Sequence, residues 1–149
     1  MILLLDLNYT LVENSDDKRR PFIKQIEAEQ YRRWLVELIR PHHVIMMTAR
    51  PAMHREATLA SISAKTAWLP QEAHFNVYGL TPPLAKERML AEHVLPKHGG
   101  ATFLAIESNP RTHAMYARYG IRSVKIEPGE RCGRDPTRIG RGDRRDVHG

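Results

Sequence analysis

Three short apolar runs in this chain each end in residues able to do phosphoryl chemistry. Leu3-Leu4-Leu5 ends in Asp6, and Asn8 and Thr10 follow at alternate positions. A run this short reads as a buried strand, with Asp6 at its carboxyl end, where open α/β sheets bind ligands. Asp6 is then placed as a nucleophile, the Asn8 carbonyl as a metal ligand, and Thr10 as a pin for the turn. The second run, His43 to Met47, ends in Thr48-Ala49-Arg50, whose hydroxyl and guanidinium suit phosphate oxygens. The third, within 101–109, ends in Glu107, a carboxylate able to complete a Mg²⁺ site with Asp6. Lys86 lies near the start of a helical stretch from Leu84 to Leu95, from which a cation can cross the pocket.

The elements that position these residues alternate regularly. After the first strand a polar loop, Glu13 to Pro21, leads to a helix expected from about Phe22 to Arg40. Phe22, Ile23, Ile26, Gln30, Trp34, Leu35 and Leu38 fall largely on its one face. Pro41 ends it. The strand His43 to Met47 is followed by a helix over Ala52 to Lys65, with Met53, Ala57, Ala60 and Ala64 as its packing stripe. A third strand over Phe75 to Tyr78, the helix carrying Lys86, the strand ending at Glu107, a helix over Pro110 to Tyr119 and a strand over Arg122 to Ile126 complete the series. Such alternation predicts a parallel sheet with helices on both faces.

Taken in order, Asp6-x-Asn8-x-Thr10, Thr48, Lys86 and Glu107-Ser108 make the chain resemble the haloacid dehalogenase-like (HAD) superfamily, over roughly residues 1 to 127. Within it, Thr48-Ala49-Arg50, Ala105 to Asn109 and Met115 to Gly120 are similar to the 3′-phosphatase domain of phage polynucleotide kinases. The resemblance implies a three-layer α/β/α Rossmannoid fold with a five-stranded parallel sheet in the order 3-2-1-4-5. It implies a Mg²⁺-dependent phosphohydrolase with Asp6, Asn8, Thr48 and Lys86 as catalytic residues. Thr48, Ala49, Arg50 and Lys86 would bind substrate, and Asp6, Asn8 and Glu107 would bind the metal.

Two positions depart from the family pattern. Asn8 stands where the superfamily's phosphatases usually carry an aspartate that protonates the leaving oxygen and later activates water. Asparagine does neither, and positioned proton transfer typically contributes roughly 10²- to 10⁴-fold. Ser108 stands where a second acid is usual. An alternative reading is therefore a catalytically weakened domain that binds a phosphorylated or nucleic-acid ligand. Neither the stretch after the first motif nor the one between Thr48 and Lys86, which holds one helix and one strand, has room for a substantial cap domain, so the site is expected to admit a bulky phosphorylated partner, such as a nucleotide or a nucleic-acid end.

Composition narrows the class. At 149 residues the chain is the size of one domain, and its formal charge of +6 favours an anionic partner. No apolar segment is long enough to span a membrane and no basic region precedes the first apolar run, so a cytoplasmic protein is expected, of unspecified oligomeric state. Neither a G-x-G-x-x-G nor a P-loop follows the first strand, which disfavours other nucleotide-binding classes. The clusters Arg19-Arg20 and Arg32-Arg33 are expected on solvated faces. The eight histidines show no helical metal-ligand spacing, so no zinc site is expected. From 128 to 149 the chain is rich in Gly, Arg, Asp and Pro and is expected to be a flexible tail, with the single Cys132 in it.

Overall fold

The structure is a computed structural model, and it describes residues 1–127. The expected tail and Cys132 lie outside the described residues. Five parallel strands form one sheet in the order β3-β2-β1-β4-β5. They are β1 (Ile2–Leu5), β2 (His43–Pro51), β3 (Glu72–Asn76), β4 (Phe103–Glu107) and β5 (Arg122–Lys125). The helices are α1 (Phe22–Ala28), α2 (Arg33–Ile39), α3 (Arg55–Thr66), α4 (Pro82–Met89), α5 (Leu95–His98) and α6 (Pro110–Arg118).

The strand period of two divides the core. Leu3 and Leu5 of β1 join Val44 and Met46 of β2 on one face, under α2 and α3, with Leu35, Ile39, Ile62 and Trp68. Ile2 and Leu4 join Ile45 and Met47 on the other face, under α4 and α6, with Ala85, Met89, Met115 and Tyr116. Both faces of the central strands are thus covered, which is why they read as unbroken apolar runs. Each such side chain taken from water contributes roughly 1.5–3 kcal/mol.

Local chemistry sets several element ends. Asn109 caps α6, its side-chain oxygen accepting from the Arg111 N–H at 2.9 Å, and Pro110 occupies the first helical position. Between α4 and α5 the helix widens over Leu90–Val94, where the Leu95 N–H bonds the Leu90 carbonyl. Pro96 follows at once; it brings no N–H and its ring crowds the preceding turn, which the wider turn accommodates.

Three elements differ from expectation. The helix expected over Phe22 to Arg40 is two helices, separated by extended backbone at Glu29–Arg32. There Tyr31 pairs antiparallel with Val12, and the Glu13 and Arg32 N–H groups bond the Gln30 and Leu11 carbonyls at 2.9 and 2.8 Å, respectively. Pairing with a segment 19 residues away overrides the helical periodicity, and Ile23 and Leu38 consequently remain exposed. The third strand lies earlier than Phe75 to Tyr78. Gln71 starts it by bonding Val44 through backbone and side chain, and Asn76 ends it by accepting from Tyr78 and Gly79 N–H groups. In α3 the buried residues are Thr58 and Ile62, whereas Met53 is 83% exposed in a short turn ahead of the helix.

Among the described residues no domain is inserted in these connections. No described helix is long and apolar enough to cross a membrane.

Candidate active site

Beyond β1 the backbone makes a tight five-residue turn, Leu7–Leu11, closed by the Val12 N–H on the Leu7 carbonyl at 3.0 Å. Asn8 is extended and Tyr9 is left-handed, at φ 62°. A left-handed non-glycine residue costs about 1–3 kcal/mol and persists where its surroundings fix it. Here the Tyr9 N–H donates to Ser15 Oγ at 2.7 Å, and Arg32 donates to the Thr10 and Tyr9 carbonyls at 2.7 and 3.3 Å. Arg32 is 1% exposed, not on a solvated face as its place in a basic pair suggested. Its cation is spent on carbonyls that the irregular turn leaves outside any ladder. The turn returns Thr10 toward the strand end, where its hydroxyl donates to Asp6 Oδ2 at 2.7 Å.

At the centre, Lys86 Nζ of α4 donates to Asp6 Oδ1 at 2.6 Å and to Glu107 Oε2 at 2.7 Å. Asp6 and Glu107 reach it from adjacent parallel strands, β1 and β4, and all three side chains are buried. Glu107 Oε1 accepts from the Ser108 and Asn109 N–H groups at 3.1 and 3.2 Å, and the Ser108 hydroxyl lies 3.4 Å from Asp6 Oδ2. Burial opposes the Lys86 charge, but Asp6 and Glu107 outweigh it and hold the ammonium protonated. Burial pushes the Glu107 carboxyl up to about 8; Lys86 opposes the rise and Asp6 adds to it. One ammonium does not fully compensate two buried acids.

The end of β2 is arranged differently from expectation. Thr48 is buried and its Oγ1 accepts from the Arg50 N–H at 3.1 Å; Ala49, between them, is partly exposed where β2 shifts register against β3. The Arg50 guanidinium does not stand free for phosphate. It forms a buried two-pronged ion pair with Glu29, donates to Thr58 Oγ1 at 2.9 Å and to Asn8 Oδ1 at 2.8 Å, and lies over the Phe22 ring. A planar fork with a matching carboxylate is held by geometry as well as charge. The structure thus brings Asp6, Lys86 and Glu107 together, and ties Asn8 to Arg50 instead.

Glu29 and Ser15 are not singled out by the sequence, and Arg32 is read there only as half of a basic pair. They sit in a polar loop and an apparently continuous helix, and only the paired segment at Tyr31 gives them their roles. A second cluster also escapes sequence spacing: His43, Glu72 and His98 each offer a ligand atom, all within 4.8 Å of one another.

The Mg²⁺ that the resemblance implies fits the Asp6 site by donor chemistry. Two carboxyl groups and the nearby Ser108 hydroxyl offer only oxygen, the donor type that this ion takes.

No protein-family model matches this chain, and no curated protein sequence matches it. Solved structures do share its fold. A chain of the Pnkp1/Rnl/Hen1 complex superposes with a TM-score of 0.67 at 13% identity, covering 87% of this chain and 46% of that one. A chain of the Pnkp1/Rnl/Hen1 RNA repair complex gives 0.69 at 14% identity, covering 87% and 43%. The HAD domain of effector protein Lem4 from Legionella pneumophila, an inactive mutant, gives 0.47 at 8% identity, covering 87% and 86%. The present chain spans less than half the length of the first two chains. Its likeness to them is one of fold, and that fold, a three-layer α/β/α arrangement around a parallel 3-2-1-4-5 sheet, is the HAD-like one that the motifs Asp6-x-Asn8-x-Thr10, Thr48, Lys86 and Glu107 resemble.

Proposed function

We propose that the chain is a phosphohydrolase that uses Asp6 as nucleophile on a phosphate monoester, with a nucleotide or polynucleotide end as substrate. The observation that carries this reading is the single ammonium of Lys86 held between Asp6 Oδ1 and Glu107 Oε2 at the carboxyl ends of β1 and β4. The lysine ammonium lies against Asp6 Oδ1 and is placed to balance the charge that a phosphoryl group gathers there.

In this scheme Asp6 attacks phosphorus in line, the ester P–O bond breaks, and the alcohol departs. Thr48, Lys86 and the backbone at Ala49 bind the non-bridging oxygens. Arg50 positions the Asn8 side chain and does not itself reach the phosphate. Asn8 carries no proton to give, so the leaving alkoxide takes one from water, which favours good leaving groups. Water then cleaves the acyl phosphate, releasing inorganic phosphate and restoring Asp6. Asp6, Glu107 and the Asn8 carbonyl would hold Mg²⁺, which would supply charge neutralisation for the phosphoryl group.

Support for a nucleic-acid substrate comes from the net charge of +6, from the lack of an inserted cap among the described residues, and from fold likeness to a chain of an RNA repair complex. A second reading, a module that binds the phosphorylated end without turnover, is favoured by the tie of Asn8 to Arg50.

The test is Mg²⁺-dependent phosphate release from 3′- and 5′-phosphorylated oligonucleotides, mononucleotides and an aryl phosphate, with Asp6→Asn alongside. Release that disappears in the variant supports the enzyme. Oligonucleotide binding without release, unchanged in Asp6→Asn, supports the module instead.

A further inference from the structure

The sheet has a second chemical end. His43 opens β2, Glu72 opens β3 and His98 closes α5, so all three stand at the amino-terminal rim of the strands. Their convergence follows from the topology. β2 and β3 run parallel with Ile45 opposite Glu72, and the helical stretch from Pro82 to His98 returns against the strand direction. His43 lies level with Ile2, four residues before Asp6, so at about 3.3 Å per residue the two sites are roughly 13 Å apart along the strands.

The side chains are already gathered. One ligand atom from each residue lies within 4.8 Å of the other two. His98 Nε2 is 2.6 Å from Glu72 Oε2, and the His43 and His98 rings meet edge to face at 5.5 Å. Lys97 Nζ binds the other carboxylate oxygen, Glu72 Oε1, at 2.5 Å, which fixes the carboxylate with Oε2 toward the imidazoles. His43 is exposed, so the cluster is open to solvent.

Two imidazoles and a carboxylate form a donor set suited to Zn²⁺, with a fourth position for water. Ligating carboxylates are themselves hydrogen-bonded in such sets, and Lys97 makes that contact with Glu72 here. Mg²⁺ prefers the all-oxygen groups around Asp6, so ligand chemistry alone separates the two ions.

We propose that His43, Glu72 and His98 form a surface site for a divalent transition metal, with Zn²⁺ as the ion that suits it, independent of the chemistry at Asp6. The bound ion takes the place of the direct contact between His98 Nε2 and Glu72 Oε2 and joins the edge strand β3, its neighbour β2 and the end of α5. It therefore stabilises the folded chain, and increasingly so as free Zn²⁺ rises above its dissociation constant.

The test is calorimetric titration of the full chain with Zn²⁺ against a competing chelator, in a Cys132→Ser background that removes the one thiol. One equivalent is expected, unaffected by excess Mg²⁺, with a Zn²⁺-dependent rise in melting temperature. His43→Gln, at an exposed position, is expected to leave the circular dichroism spectrum unchanged, to weaken binding at least tenfold and to remove the rise; His98→Gln is expected to do the same. Equal Zn²⁺ affinity in both variants, or no binding that survives the chelator, overturns the proposal.

Discussion

Arg50 donates from Nη2 to Asn8 Oδ1 at 2.8 Å while its guanidinium is paired with a buried Glu29. The side chain two residues beyond Asp6 is therefore oriented by a cation. An acid placed there would have its charged form favoured.

Asn8→Asp should accordingly create a carboxylate held ionised at neutral pH. It would serve well as a base for water and poorly as an acid for the leaving group. We expect turnover of alkyl phosphates to rise by roughly 10²-fold, the low end for positioned proton transfer, with its maximum on the acidic side of neutrality. Release from an aryl phosphate should change less. Rate–pH profiles on both substrates decide the matter, and an absence of gain at every pH would remove the assigned role of this position.

Glu29→Gln leaves the buried Arg50 charge without its partner. The expected loss of stability is about 3–5 kcal/mol, read from urea unfolding. Replacing Arg50 by Met in the same chain should recover part of it, giving a strongly non-additive double-mutant cycle.

Arg32→Lys keeps the charge and loses the fork that bonds the Tyr9 and Thr10 carbonyls. Each charged hydrogen bond contributes about 1.5–3 kcal/mol. The turn then loosens and Thr10 no longer fixes Asp6. In the proposed reaction kcat should fall by about tenfold or more with little change in KM, since displacement of a reacting group is costly in rate.

Glu107 should impose a pH dependence on stability. Its folded-state pKa, pushed to about 8, lies above its ordinary value of 4.5. The folded chain therefore binds this proton more tightly than the unfolded chain. The resulting stabilisation is fully present below about pH 4.5 and is lost as pH rises through about 8. Its slope cannot exceed about 1.36 kcal/mol per pH unit. Urea unfolding across this range, compared with Glu107→Gln, tests it: the slope should flatten in the variant.

The central site is legible in the sequence because strand-end residues follow from short apolar runs, and parallel strands deliver them to one rim. Asp6 and Glu107 need only that rule, and Lys86 needs only a helix leaving from the same rim. Arg50 is less legible. Its residue type suits phosphate as well as it suits Glu29, and Glu29 lies in a segment whose spacing fits one long helix. What breaks that helix is the pairing of Tyr31 with Val12, a non-local event that leaves no periodic trace. The same holds for His43, Glu72 and His98, which no local spacing connects.

Lys86 joins acids that lie 80 residues before it and 21 after it. During synthesis Asp6 emerges early and Glu107 late, so the ammonium first meets a single carboxylate. β1 likewise lacks its second neighbour until β4 is made. A fragment that stops short of Phe103 therefore has neither a closed central sheet nor a complete charge cluster, and the chemistry at Asp6 becomes available only when β4 has docked.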